Sequence, residues 1–434
     1  MISNPLCCLS FLLLFSATTH AEDWPRWRGP RADGTWNAPK LPEAFPEKGL
    51  ETVWTQPIGG GYAGITTAEG RVFTMDLEEP IVPRKDGQPD GVERVRCFDH
   101  KTGKPLWSHG YPVKYGGLGG YNNGPRASSV FRDGKLYTLG AVGHFFCFDA
   151  ASGKVHWSKD MVKEHKARVP EWGFAASPVI DGDNVLIHTG AEPDGSLIAF
   201  HRETGKEIWR SLPDPTGYCT PLIIEPKSGK QIVMWTPLNV RGLDAANGKL
   251  LWTVPYKVTY GVSIASPIFQ ENLVYVTGYW EGSKTIRLGE KPSDFELIHE
   301  EKREQRGLMA QPLYRDGYVY SFDRQLGLTC FELKTGKKIW DDENKLTPKA
   351  RNPHASIVWI GDGDRILAVN AEGELVSARL NPKGYQELGR TKIIDGRVWG
   401  HPAFSGHDVI VRSDGGEKYG KGPFEIRCVR LVKD

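Results

Sequence analysis

Between residues 176 and 212 the hydrophobic positions fall into four short runs, 176–180, 184–190, 196–201 and 207–212, each β-branched, aromatic or alternating. Asp181-Gly182, Glu192-Pro193-Asp194-Gly195 and Thr204-Gly205-Lys206 separate them. Runs this short between turn-forming clusters predict strands, and the tight spacing predicts one antiparallel four-stranded unit. Asp-Gly recurs at the first turn in Asp133-Gly134, Asp316-Gly317 and Asp362-Gly363, where a two-residue hairpin wants positive φ. Pro178, Pro221, Pro267, Pro312 and Pro402 stand at the head of the first strand, a position that suits a strand with an unpaired edge.

The last two strands of the unit carry a motif that recurs: CFDHKTGKPLW (97–107), CFDAASGKVHW (147–157), AFHRETGKEIW (199–209), GLDAANGKLLW (242–252) and CFELKTGKKIW (330–340). From Trp107 the tryptophans fall 50, 52 and 43 residues apart to Trp157, Trp209 and Trp252, then 88 to Trp340. The double interval implies one degenerate copy, near 286–297. In ARLNPKGYQEL (378–388) Ala378, Gly384 and Leu388 fill the first, seventh and eleventh places, with Leu for Trp. The final unit reaches Cys428 with no room for its last strand, and VWTQP (53–57) copies LWTVP (251–255). Such self-similarity marks a repeat architecture. The expectation is an all-β fold: an eight-bladed β-propeller of four-stranded antiparallel blades, about 48 residues each, closed by the N-terminal strand that carries Trp54. Trp-Asp ends a motif only at Trp340-Asp341, which argues against WD40 repeats, and neither a barrel nor a solenoid predicts the borrowed strand.

Lys+Arg 55 against Asp+Glu 53 gives a net charge of +2, far from the basic excess of a nucleic-acid binder. Hydrophobic content of 39% and charged content of 25% are globular values. Residues 1–21 read as a cleaved signal peptide, with a ten-residue apolar run and Thr19-His20-Ala21 as the cleavage signal. Cys7 and Cys8 stand at the start of that run, not after it, so no lipid attachment is expected, and no later stretch is long enough to span a membrane. Residues 22–50 read as an extended segment crossing the disc, and 51–434 as the propeller. Cys97, Cys147, Cys219, Cys330 and Cys428 form no CxxC and no close Cys/His spacing, so neither a disulfide framework nor a metal site is expected.

The pattern A-x-D-x-x-T-G-K-x-x-W resembles the tryptophan-docking repeat of the pyrroloquinoline-quinone (PQQ)-like, or quinoprotein-alcohol-dehydrogenase-like, propellers, over about 380 residues. The resemblance implies that Trp54, Trp107, Trp157, Trp209, Trp252 and Trp340 lie flat between the small first residue of their own motif and a neighbouring blade's glycine turn. It also implies two functional branches. Quinoprotein dehydrogenases hold PQQ with Ca²⁺ through Glu, Asn and Asp side chains, an Asp base and often an adjacent-cysteine disulfide. The non-enzymatic branch, resembling the outer-membrane assembly factor BamB, uses the blades as a scaffold. No adjacent cysteines remain after residue 21, and no carboxylate set transfers position by position, so no catalytic residue is assigned.

Just ahead of its innermost strand, nearly every blade places an aromatic, arginine or histidine beside glycine: Tyr62, Asn123 with Arg126, Trp172, Tyr218, Tyr260, Arg306, His354, and Trp399 with His401. These would line one mouth of the central channel and grip a flat or anionic ligand; alternatively they only pack and turn there. Asp323-Arg324, Glu192 and Asp414 fall in loops at the same mouth, as acid–base candidates or as solvated groups. The glycine-rich stretch 115–124 reads as a lip over it, and 77–95 as a solvated insertion in the first blade. The reading is an exported, monomeric binding or scaffold propeller, periplasmic or secreted, that takes a protein partner or small molecule at the funnel. A PQQ- and calcium-dependent alcohol or sugar dehydrogenase is the alternative.

Overall fold

The computed structural model describes residues 22–79, 90–115, 118, 123–414 and 424–432. Eight four-stranded antiparallel blades succeed one another around an axis, seven of them built from four consecutive strands, as in the first blade, Thr66–Ala68, Arg71–Glu78, Gly91–Asp99 and Pro105–Val113. The innermost strand is three residues long in seven blades, because strands converge towards the axis and little edge fits there. The eighth blade takes three strands from the C-terminal end, Ala403–Ser405, Asp408–Arg412 and Glu425–Arg430. Its fourth is Glu51–Pro57, with Trp54 opposite Cys428. The ring therefore closes on its own N-terminal strand, as expected. Among the described residues no helix is long and apolar enough to cross a membrane.

The docking girdle follows the repeat, with exceptions. A Cβ on Gly103, Gly153, Gly205 or Gly248 would lie 2.5–2.8 Å from the ring of Trp54, Trp107, Trp157 or Trp209 of the preceding blade. These glycines also have positive φ, from 67° to 73°, so both the turn and the indole require glycine. The indole N–H of Trp54, Trp107, Trp157 and Trp340 donates to a backbone carbonyl of the neighbouring turn, His100, Ala150, Arg202 and Asn381, at 2.7–3.0 Å. In the degenerate fifth blade there is no such turn, and Trp252 instead lies over Gly242 of its own blade and donates to Gln231. His299 takes the tryptophan's place there, against Gly336 of the sixth blade. In the seventh blade Leu388 does not stand in for tryptophan. It falls at the bulge between the pairs Ser377–Gly389 and Ala378–Glu387, where Ile208 lies in the third blade, and Gly389 at the tryptophan position packs against Phe45.

Other differences are local. Asp133-Gly134 and Asp316-Gly317 have positive φ at both residues, but near Asp362-Gly363 it is Gly361 that adopts it. The first blade's middle strands reach further into 77–95 than a solvated insertion allows, pairing Leu77 with Glu93 and Glu78 with Val92; residues 80–89 lie outside the described residues.

The segment 22–36 enters the channel and covers the innermost edges. Carbonyls of Trp24, Pro25, Gly34 and Trp36 accept from the N–H groups of Thr67, Phe131, Trp359 and Gly361, and Thr35–Trp36 pairs in parallel with Trp359–Ile360. Unpaired strand edges around the axis are thereby satisfied. Trp24 and Trp36 are fully buried, and Arg28 is buried with its guanidinium on the carbonyls of Asp33 and Pro312.

Candidate functional site

The segments leading into the innermost strands all lie at one end of the channel, together with the turns joining second and third strands. Five candidates gather in one half of this mouth. The Arg126 guanidinium lies 5.4 Å from the centre of the Tyr62 ring, Tyr62 is 5.7 Å from Trp399, and Arg397 lies 5.1 Å over the other side of this cluster, on Trp399. Trp172 and Tyr218 form a second ring pair at 5.8 Å, joined by the Trp172 N–H to the Tyr218 hydroxyl. Desolvation draws the Arg126 pKa down, against the upward pull of Tyr62, Tyr115 and Glu93. Asn123 stands beside Gly60 at the rim.

A group the sequence did not mark supports this half. Glu93 is fully buried and accepts from the hydroxyls of Tyr111 at 2.7 Å and Tyr115 at 2.8 Å and from the Ala141 N–H at 3.1 Å. Burial pushes its carboxyl pKa up. Its place in a charged stretch read as a loop hid it; the alternation of Val92, Arg94 and Arg96 against Glu93, Val95 and Cys97 was the available signal.

The remaining candidates are elsewhere or already engaged. His354 and His401 are buried in the channel wall below the mouth, where the Trp27 ring meets His401 edge-on at 4.8 Å. Burial lowers their pKa values to about 3 and about 4, so both are neutral at pH 7. Tyr260 is 69% exposed across the mouth, against Trp280. Arg306 holds Asp323 through two nitrogens, at 3.0 and 3.1 Å, and Arg324 lies over Tyr279. Glu192 pairs with Arg168. Asp414 is buried, accepting from the N–H groups of Trp399 and Gly400, and burial raises its pKa to about 6 against the pull of Arg412.

The arrangement can stack a flat group and offset a negative charge at Arg126. Calcium with a quinone needs several free oxygen ligands converging on one point, and the described residues bring no three carboxylates together at the mouth. Among the described residues, Asp76 is held by Arg94 and Arg96, Asp323 by Arg306, Asp414 by backbone amides, and Glu93 by two tyrosines. The five described cysteines are buried and unpaired with one another.

Fold and mouth together define an eight-bladed propeller of PQQ-like repeats. The family model described as outer membrane protein assembly factor BamB matches residues 91–342, more than half of the chain, and the chain belongs to that family. BamB of Moranella endobia is 20% identical over 78% of this chain and 74% of its own. The quinohemoprotein alcohol dehydrogenase ADH IIB of Pseudomonas putida is 33% identical over 38% of this chain, which spans only 25% of that enzyme. Among solved structures, BamB from Moraxella catarrhalis aligns over 88% of this chain and 99% of its own, with a TM-score of 0.55 and 14% identity. Quinohemoprotein alcohol dehydrogenase ADHIIG of Pseudomonas putida aligns over 96% and 81%, with a TM-score of 0.64 and 12% identity. Both show the fold alone.

Proposed function

We propose that this chain is an exported binding or scaffold propeller whose mouth, around Tyr62, Arg126, Trp172, Tyr218 and Trp399, receives a protein partner or a flat anionic ligand without transforming it. One observation carries the reading. Among the described residues, Glu93, Asp323 and Asp414 at the mouth are held by internal partners, whereas a cation set among rings is what recognition of a side chain or small anion needs. The longer alignment with BamB than with the dehydrogenase points the same way. Export follows from the leader read in residues 1–21, and mass measurement of the protein from the periplasm or medium should show cleavage after Ala21.

Two measurements test the reading. Titration of the purified protein with PQQ and Ca²⁺ should give neither a saturable fluorescence change nor alcohol- or sugar-dependent dye reduction; turnover would replace the scaffold with the dehydrogenase. A photo-crosslinking residue at position 62 or 172 should trap a discrete partner in cells. The same residue at the exposed Leu250 on the outer rim should not.

A further inference from the structure

We propose that His100, Asp408 and Cys428 form a binding site for one thiophilic divalent cation, zinc in class, that clips the ring where its two ends meet. The site lies on the seam between the eighth blade and the first, at the end of the channel opposite the mouth, and does not depend on what the mouth binds.

The donor atoms already stand close together: one from each residue lies within 4.8 Å of the others, and His100 Nε2 is 3.3 Å from Asp408 Oδ2. Tetrahedral zinc with these ligand types sets its donors about 3.3–3.6 Å apart, so the histidine–aspartate edge has the required span and the thiol needs a shift of about 1 Å at most. The Nε2 atom is buried and makes no hydrogen bond. A buried ring nitrogen that faces a carboxylate without a bond is an unsatisfied group, and a shared cation satisfies both. The second carboxylate oxygen, Oδ1, is held by Arg430, which fixes the ligand from behind as outer partners of metal ligands do. His100 is fixed as well, because its carbonyl receives the Trp54 indole and its N–H donates to Gly70. Its side chain is 13% exposed, which leaves a path for a metal and a place for water as fourth ligand.

The other blades serve as internal controls. Buried thiols occupy the same repeat position in Cys97, Cys147 and Cys330, but Cys97 faces Arg71 and Asp99, Cys147 faces Tyr137, Lys135 and Glu203, and Cys330 faces Tyr320, with no histidine among these neighbours. The turn residue equivalent to His100 is Ala150 or Arg202 where the next tryptophans dock. Histidine, carboxylate and thiol coincide at the closure seam. Cysteine binds zinc as the thiolate, so binding exchanges one proton for the cation: S–H loses its proton to solvent and the thiolate bonds the metal.

The test uses the mature full-length protein, stripped of metal and dialysed against Zn²⁺ or Co²⁺. We expect one Zn²⁺ per chain, a raised melting temperature, and a thiolate-to-metal charge-transfer band with Co²⁺. Cys428→Ser should abolish the band, Cys330→Ser should leave it, and His100→Gln and Asp408→Asn should each weaken binding by at least about tenfold. Should Cys428→Ser fail to fold, His100→Gln decides, since the Trp54 contact is to the His100 backbone. Substoichiometric zinc, a cobalt spectrum without the thiolate band, or unchanged affinity in His100→Gln overturns the site.

Discussion

Asp414 accepts from the N–H groups of Trp399 and Gly400, next to His401 in the chain, yet burial moves Asp414 and His401 in opposite senses along the pH axis. Asp414 titrates near 6 in the fold against 3.8 for the free side chain; the folded state therefore binds its proton more tightly. Its stabilising contribution is complete below about 4 and is lost as pH rises through 6. For His401, with a folded value of about 4 against 6.5, and for His354 with about 3, folding excludes the proton. Their contribution is present above 6.5 and is lost as pH falls through the folded values. The net acid response mixes both, so a difference measurement is needed. Denaturant unfolding of wild type and Asp414→Asn between pH 7 and 4 should show wild type gaining on the variant as pH falls, with a ceiling of roughly 3 kcal/mol. A constant difference would mean that Asp414 is ionised throughout that range.

At the level of the element, the turn between third and fourth strands is where the repeat's chemistry resides. Gly205 and Gly182 both have positive φ, 67° and 56°. A Cβ on Gly205 would meet the Trp157 ring at 2.8 Å, whereas nothing lies within 4 Å of one on Gly182. Gly182→Ala should therefore cost only the backbone strain, about 1 kcal/mol, and Gly205→Ala distinctly more in the same urea melts. Trp209→Ala should cost about 3–5 kcal/mol and leave mouth binding intact in the folded fraction, read by melting temperature and ligand titration. These elements were legible because indole, glycine and lysine recur at fixed spacing. His299 was not, since an imidazole filling the same socket leaves no matching letter. Nor was Gly389: a hairpin two residues longer than in the third blade moved the bulge and put Leu388 out of register, which spacing alone cannot reveal. The mouth was half legible. Tyr62, Arg126 and Trp399 do meet, and Asp414 reaches the amides beside Trp399, but Glu93 lies in a strand of the first blade and only the folded sheet brings it to Tyr111 and Tyr115.

Across the whole molecule, closure and filling of the channel are separate devices. The strand Glu51–Pro57 completes the eighth sheet, while 22–36 satisfies innermost edges and seats Arg28 on carbonyls with no carboxylate at ion-pair distance among the described residues. That burial draws the Arg28 pKa down to about 10; a cation kept charged at such expense serves geometry by capping carbonyls that nothing else reaches. A segment of this kind has no periodicity for the sequence to display, and only its density of Trp and Arg announced it. Because the sheets do not need it, removal of residues 22–36 should leave the far-ultraviolet circular dichroism of the propeller in place. It should still lower the melting temperature by at least about 5 °C, since Trp24 and Trp36 leave the core and the edge donors of Thr67, Phe131, Trp359 and Gly361 turn to water. Quenching of Trp359 by iodide, followed through tryptophan fluorescence, should rise in the truncated protein as the channel opens. An unchanged melting temperature would mean that the filled channel contributes nothing to the stability of the ring, and closure by Trp54 against Cys428 would then carry it alone.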